Sequence, residues 1–150
     1  MATHFGGARS PEPATAGGLG LRRRRAPIVW RALSALALLG MAWIHLHYVV
    51  FVGAGGLLEI LFLLNAAGGL VLAIAMLATR RGLLRLSTVL SLLMMVGTLL
   101  ALVLALNDML FGIQEQLSGD LVVTALVEES IGTVVLLVTT AQVFRKPRLA

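Results

Sequence analysis

The stretch LLRLSTVLSLLMMVGTLLALVLAL, residues 83–106, decides the fold class of this chain. Its 24 residues include a single charged side chain, Arg85. At about 1.5 Å per residue, a helix of this length crosses the roughly 30 Å of hydrocarbon in a bilayer. We predict a transmembrane helix here, because a helix satisfies all of its backbone hydrogen bonds within the segment.

Three further apolar stretches of similar length lie on either side, at residues 28–52, 57–78 and 121–144. The connections at residues 53–56 and 79–82 are short, and a longer polar connection covers residues 107–120. The alternation that a β-barrel needs is absent. The sequence therefore predicts an all-α polytopic membrane protein whose four transmembrane helices form an up-down bundle over residues 27–145.

The basic residues fall on one side of these four spans. They precede or begin the first span, lie around the turn between the second and third, or follow the fourth, and the connections 53–56 and 107–120 contain none. This positive-inside pattern predicts that both termini are cytoplasmic, in a bacterial plasma membrane. The twelve residues are Arg9, Arg22, Arg23, Arg24, Arg25, Arg31, Arg80, Arg81, Arg85, Arg145, Lys146 and Arg148.

The two ends of the chain differ in composition from the spans. Residues 1–26 are rich in Gly, Ala, Pro and Arg and are predicted to be a disordered basic cytoplasmic tail, with a second short basic tail at residues 146–150. A cleaved signal peptide is the competing interpretation of the first span. Its apolar core would exceed the usual ~7–15 residues, which favours a retained helix.

Composition excludes several function classes. Charged residues make up 13% of the chain, against roughly 25% in soluble domains. The net charge of +5 is compatible with nucleic-acid binding, but the basic residues flank the spans, so anionic lipid headgroups are the expected partner and nucleic acid is not. The absence of cysteine excludes disulfides, thiolate metal sites and thiol redox chemistry.

Small and hydroxylated side chains recur every three or four residues in three of the spans. Such stripes allow close helix approach in lipid, where the hydrophobic effect does not drive association. We predict that they face one another within the bundle. They are Ser87, Ser91, Met94, Thr98, Ala101 and Ala105 in the third span, Asn65, Gly69 and Ala73 in the second, and Thr124, Glu128 and Gly132 in the fourth.

Polar and ionisable residues in the outer half of the spans form the candidate polar pocket: His45, Glu59, Asn65 and Glu128. A carboxylate at this depth is costly in lipid, so it is expected to bind a proton or to turn inward. Glu128 and Glu129 point about 100° apart on a helix, so one neighbouring helix cannot receive both. Glu128 is the expected inward residue because it shares its stripe with a threonine and a glycine, and Glu129 remains the alternative.

The two histidines of the first span cannot meet at one metal ion. His45 shares a stripe with Ser34, Leu38, Met41 and Tyr48, whereas His47 points about 200° away. His45, His47 and Glu59 are therefore only weak metal candidates, a haem axial pair is weaker still, and no cofactor is predicted.

No catalytic constellation or phosphate-binding glycine loop occurs in the sequence. We expect a structural or accessory membrane component without catalytic activity, with a second copy or another membrane protein as its possible partner. The alternative is a small transporter or sensor for a proton, a metal ion or a small ligand that uses the outer-half pocket.

The residues 43–47 (WIHLH), 61–65 (LFLLN) and 109–112 (MLFG) carry a resemblance to a family. With the Arg-rich turn and the Glu of the fourth span, the chain resembles small, uncharacterised four-helix integral membrane proteins of actinobacteria. The resemblance covers about residues 28–144. It implies the four-span topology and no particular activity.

Overall fold

The structure, a computed structural model, describes residues 16–53, 56–107 and 121–145. In these ranges it contains no strand and four long helices: α1 (Ala16–His47), α2 (Leu57–Ala78), α3 (Arg81–Leu106) and α4 (Val122–Phe144). Each helix includes a segment that is long and apolar enough to cross a membrane. The prediction of an all-α chain with four candidate spans is confirmed.

The first helix begins earlier than its predicted span. The tail predicted to be disordered reached residue 26, but α1 is helical from Ala16 onward. Arginine, leucine and alanine are good helix formers, and extending an existing helix requires no new nucleus. Residues 1–15 and 146–150 of the predicted tails, and residues 108–120 of the predicted loop, lie outside the described ranges.

At its other end, α1 continues into a π-helical turn, Tyr48–Val52. Gly53 ends this turn with a φ of 77°, and its backbone N–H donates a hydrogen bond to the carbonyl of Tyr48. Glycine adopts this left-handed conformation without the steric penalty of a side chain, so it is well suited to end a helix.

Side-chain contacts bring residues of all four helices together on one side of the bundle, which we call the basic end. The Arg31 guanidinium of α1 binds carbonyl groups at the end of α2, including that of Thr79. Nearby, the hydroxyl groups of Ser34 (α1) and Thr139 (α4) lie 2.8 Å apart. The Arg85 guanidinium of α3 lies 5.5 Å from the ring centroid of Phe144 in α4. The middle of α1, the end of α2, the start of α3 and the end of α4 therefore lie together.

The interior of the bundle is unusual for its small polar side chains. Ser34, Ser91 and Thr139 are fully buried, together with the apolar residues Leu38 and Met95. Large apolar side chains such as Leu, Ile and Val cover the outside of all four helices. An exposed apolar surface of this extent is compatible with a protein that spans a membrane.

The predicted small-residue stripes are confirmed for α3 and α2. Ser87, Ser91, Thr98 and Ala105 of α3 are buried, and Met94 and Ala101 are half-buried. On α2, Gly69 and Ala73 are buried and Asn65 is half-buried. These side chains pack within the bundle as expected for helices in lipid.

The predicted stripe of α4 is wrong in two of its three positions, because Thr124 is exposed and Glu128 only half-buried. The inward face is instead spaced by three and four residues, as in the seam of a coiled coil. Gly132 belongs to both the predicted stripe and the observed inward face. The observed face is rotated relative to the predicted stripe, so that it includes Glu129 and not Glu128. The buried residues are Val122, Ala125, Glu129, Gly132, Leu136 and Thr139.

Candidate functional site

A cavity of about 580 Å³ occupies the half of the bundle opposite the basic end. All four helices contribute to its wall, as His45 of α1, Asn65 of α2, Thr98 of α3 and Glu129 of α4 illustrate. Its volume lies within the range of roughly 300–1,000 Å³ that is typical of small-molecule sites. The cavity is therefore large enough to hold a small-molecule ligand and is larger than a packing defect.

The wall of the cavity is mainly apolar, and it opens between α2 and α3. These two helices pack least closely of the four neighbouring pairs. Leu57 and Leu61 of α2 and Leu93 and Gly97 of α3 line the cavity and are also exposed on the outside of the bundle. In a membrane this gap faces the lipid.

Glu129 is the most buried ionisable residue of the cavity, with 2% of its surface exposed. It lies seven residues into α4, about 10 Å along the helix. The Thr98 hydroxyl lies beside the carboxyl group, and it donates a hydrogen bond to the carbonyl oxygen of Met95 at 3.0 Å. The Oε2 atom has no partner among the residues that the structure describes. An acceptor left unpaired at this depth is costly, so the arrangement indicates a place for a ligand or a proton.

His45 lines the same cavity and is 8% exposed. Its Nδ1 atom lies 2.9 Å from the carbonyl oxygen of Met41, one helical turn earlier. A carbonyl oxygen only accepts, so Nδ1 carries the hydrogen, and in a neutral imidazole Nε2 is then an acceptor. The ring contacts Phe62 edge-on, with centroids 5.3 Å apart. The hydrogen bond and the aromatic contact fix the orientation of the ring.

The predicted pocket residues lie in three different places. His45 and Asn65 both line the cavity. Glu59 is exposed on the first turn of α2 and is not part of the lining. Glu128 lies in a separate shallow groove on the outside, between α1 and α4. A binding role for any of these residues stays a prediction.

The expectation that Glu128 faces the bundle is corrected in favour of Glu129. The Glu128 carboxylate lies against Gly40 of α1, where an added Cβ would be 3.0 Å from Oε1. The backbone of Met41 approaches this carboxylate without completing a hydrogen bond of ordinary geometry. The absence of a side chain at Gly40 makes room for the Glu128 carboxylate between α1 and α4, where both of its oxygens are buried and have no hydrogen-bond partner among the described residues.

The spacing of buried residues in α4 was the signal that could have identified Glu129. Apolar or small residues at positions 122, 125, 132 and 136 define the 3–4 spacing, and position 129 completes it. The prediction for Glu128 followed instead from the threonine at 124 and the glycine at 132, which share a stripe with it.

The weak metal candidates do not assemble into a metal centre within the described ranges. No group of three or more His, Cys, Asp or Glu side chains there could hold a metal ion. The His47 ring instead packs against Phe51, at a centroid distance of 4.9 Å. His45 and His47 therefore belong to different surroundings, as their angular separation predicts.

Comparison with known proteins identifies no relative. No family model matches the chain, and neither a curated protein nor a solved structure shows significant similarity to it. The resemblance to actinobacterial membrane proteins stays a prediction.

Proposed function

We propose that the chain is a non-catalytic protein of the bacterial plasma membrane that binds a small amphiphilic molecule in the cavity between its four helices. In this proposal the helices form an up-down bundle with both termini in the cytoplasm. The contacts at the basic end and the distribution of basic residues along the chain support this topology. Anionic headgroups would surround the exposed arginines at that end.

One observation carries the binding proposal: the carboxyl group of Glu129 is buried beside a 580 Å³ apolar cavity, and its Oε2 atom is unpaired in the described part of the chain. The apolar wall suits the body of an amphiphile, and Glu129, His45, Asn65 and Thr98 suit its polar group. This combination develops the alternative of a small sensor or transporter and names a site for it.

The accessory function that the sequence favoured depends on small-residue stripes being available to a partner. The stripes of α2 and α3 are already buried inside this chain, so they offer no surface for another membrane protein. The remaining candidate for such contacts is the outer groove that contains Gly40, Glu128 and Gly132. A second copy or another membrane protein in this groove is the second candidate function.

The cavity proposal predicts saturable binding of a neutral amphiphile such as adamantan-1-ol. The radiolabelled alcohol is titrated into the purified protein in phosphatidylcholine nanodiscs, and binding to empty nanodiscs is subtracted. Replacing Gly97 with Phe is expected to weaken binding at least roughly tenfold, because a side chain there enters open space in the cavity.

Val96 provides the matched control. It is exposed on α3 next to Gly97 and does not line the cavity, so Val96→Phe adds the same aromatic group to the lipid-facing side. This variant is expected to bind like the wild type. Equal binding by wild type and Gly97→Phe would overturn the cavity as the binding site.

A further inference from the structure

We infer that the occupant of the cavity is a lipophilic organic cation of the alkylammonium class, which reaches Glu129 sideways from the bilayer between α2 and α3. This inference rests on the proposed function and adds the chemical class of the ligand and its route.

Glu129 and His45, two buried residues that line the cavity, each carry a hydrogen-bond acceptor. The Oε2 atom of Glu129 is unpaired in the described ranges. The Nδ1–H group of His45 is already used by the carbonyl of Met41, which leaves Nε2 as an acceptor in the neutral ring. A ligand that brings several N–H donors complements this acceptor-rich surface, whereas a carboxylate or phosphate would add further acceptors.

The cavity also lacks a positive charge of its own. None of the described residues that line it is Lys or Arg, and Arg31 and Arg85 lie at the basic end of the same helices. A carboxylate that stays ionised in an apolar site requires a counter-charge. Since the described side chains do not provide one, an ammonium group on the ligand is the complementary partner.

Aromatic rings in the wall of the cavity favour the same class. Tyr48 and Phe62 both line the cavity, and their ring centroids lie 5.5 Å apart. The negative faces of aromatic rings attract organic cations, most strongly in a site without water. An alkylammonium ligand therefore finds an anion, aromatic rings and an apolar wall in one cavity.

The route follows from the position of the opening. Leu61 of α2 and Leu93 of α3 are exposed at the gap and also line the cavity. An added Cβ at Gly97 would meet no atom within 4 Å, so this part of the gap is open. A lipophilic amine dissolved in the bilayer can pass here without crossing a polar surface.

The test compares two probes with one apolar body, adamantan-1-amine and adamantan-1-ol, in phosphatidylcholine nanodiscs at neutral pH. The alkylamine is then a cation and the alcohol is neutral. We expect the wild type to bind the amine at least roughly tenfold more tightly than the alcohol, because hydrogen bonds to charged groups are the stronger ones. In Glu129→Gln this preference is expected to disappear.

Glu128→Gln is the matched control, since it makes the same change one residue away and outside the cavity. It is expected to keep the preference for the amine. Thermal unfolding establishes that each variant is folded. The ratio of the amine and alcohol affinities of the wild type tests the cation inference without any variant.

The outcomes separate this inference from the proposed function. Equal affinity for amine and alcohol, with alcohol binding still lost in Gly97→Phe, overturns the cation inference and leaves the binding cavity in place. Saturable binding of neither probe, as expected if a lipid acyl chain or a second copy fills the cavity, overturns both. Loss of the amine preference in Glu128→Gln but not in Glu129→Gln overturns the assignment of Glu129.

Discussion

Arg31 joins α1 to the end of α2 through three carbonyl groups. Its Nε atom donates to the carbonyl of Met76 at 2.8 Å, and Nη2 donates to those of Leu77 at 3.0 Å and Thr79 at 2.9 Å. The last carbonyls of a helix have no partner within the helix and carry a partial negative charge. One guanidinium therefore serves as the cap of α2.

Replacing Arg31 with Ala is expected to lower the free energy of unfolding by about 1.5–3 kcal/mol, because charge-assisted hydrogen bonds are lost. Arg31→Lys is expected to be intermediate, since an ammonium group lacks the planar fork of guanidinium. Unfolding in mixed micelles with increasing SDS, followed by circular dichroism, measures both changes.

Arg80→Ala serves as the control for this prediction. Arg80 is exposed just before α3. Its replacement by Ala removes one positive charge from the same end of the molecule. An equal loss of stability in Arg80→Ala and Arg31→Ala would show that net charge, and not the cap, is responsible.

At the level of elements, the contact between α1 and α2 depends on a glycine. A Cβ atom at Gly69 would lie 3.0 Å from the carbonyl oxygen of Leu38 and 3.1 Å from the Cβ of Ala42. The first of these atoms belongs to the backbone and moves only if the helices separate. The face of α2 that carries small residues thus sets the distance between α1 and α2.

Gly69→Ala is therefore expected to destabilise the bundle by about 1–3 kcal/mol, the usual cost of overpacking a tight contact. Gly97→Ala makes the same change on α3, where the added atom meets nothing within 4 Å. It is expected to be neutral or slightly stabilising, because alanine favours a helix more than glycine does. Equal thermal unfolding midpoints for the two variants in detergent would contradict the close contact.

For the molecule as a whole, the basic end and the cavity lie in opposite halves of the same four helices. Arg31 and Arg85 belong to contacts at the basic end, and Glu129 and His45 belong to the cavity. From this polarity the positive-inside rule predicts an orientation in which the cavity lies toward the outer leaflet.

Single cysteines at Gly55 and Ser118 are expected to react with a membrane-impermeant maleimide in intact cells, because both positions belong to connections predicted to be outside. A cysteine at Gly82 is expected to react only after the cells are opened. The chain contains no cysteine, so the wild type reports the background directly. Labelling of position 82 alone in intact cells would show that the orientation is opposite to the predicted one.

Much of the fold could be predicted from sequence because each span satisfies its own backbone hydrogen bonds. The predicted stretch at 57–78 coincides with α2, and those at 83–106 and 121–144 differ from α3 and α4 by one or two residues at one end. The inward stripe of His45 was also predictable, since Ser34, Leu38 and Met41 are buried with it. These features depend on local periodicity alone.

The candidate site was predictable only in part. His45 and Asn65 line the cavity, but Glu129 takes the place expected for Glu128. Adjacent residues on a helix differ by only 100°, and the composition of α4 offered a polar stripe on both sides. The rotation of α4 is set by how tightly it packs on its neighbours, which depends on residues of other helices such as Gly40.

The all-α class, the four apolar spans and the segregation of basic residues could be read from the sequence, because they follow from length, hydropathy and charge along one chain. The tertiary structure was needed to show that the four helices surround a cavity that opens between α2 and α3, with Glu129 buried at its wall. The physical reason is that helix rotation and spacing in lipid depend on close packing between helices, which no single segment encodes.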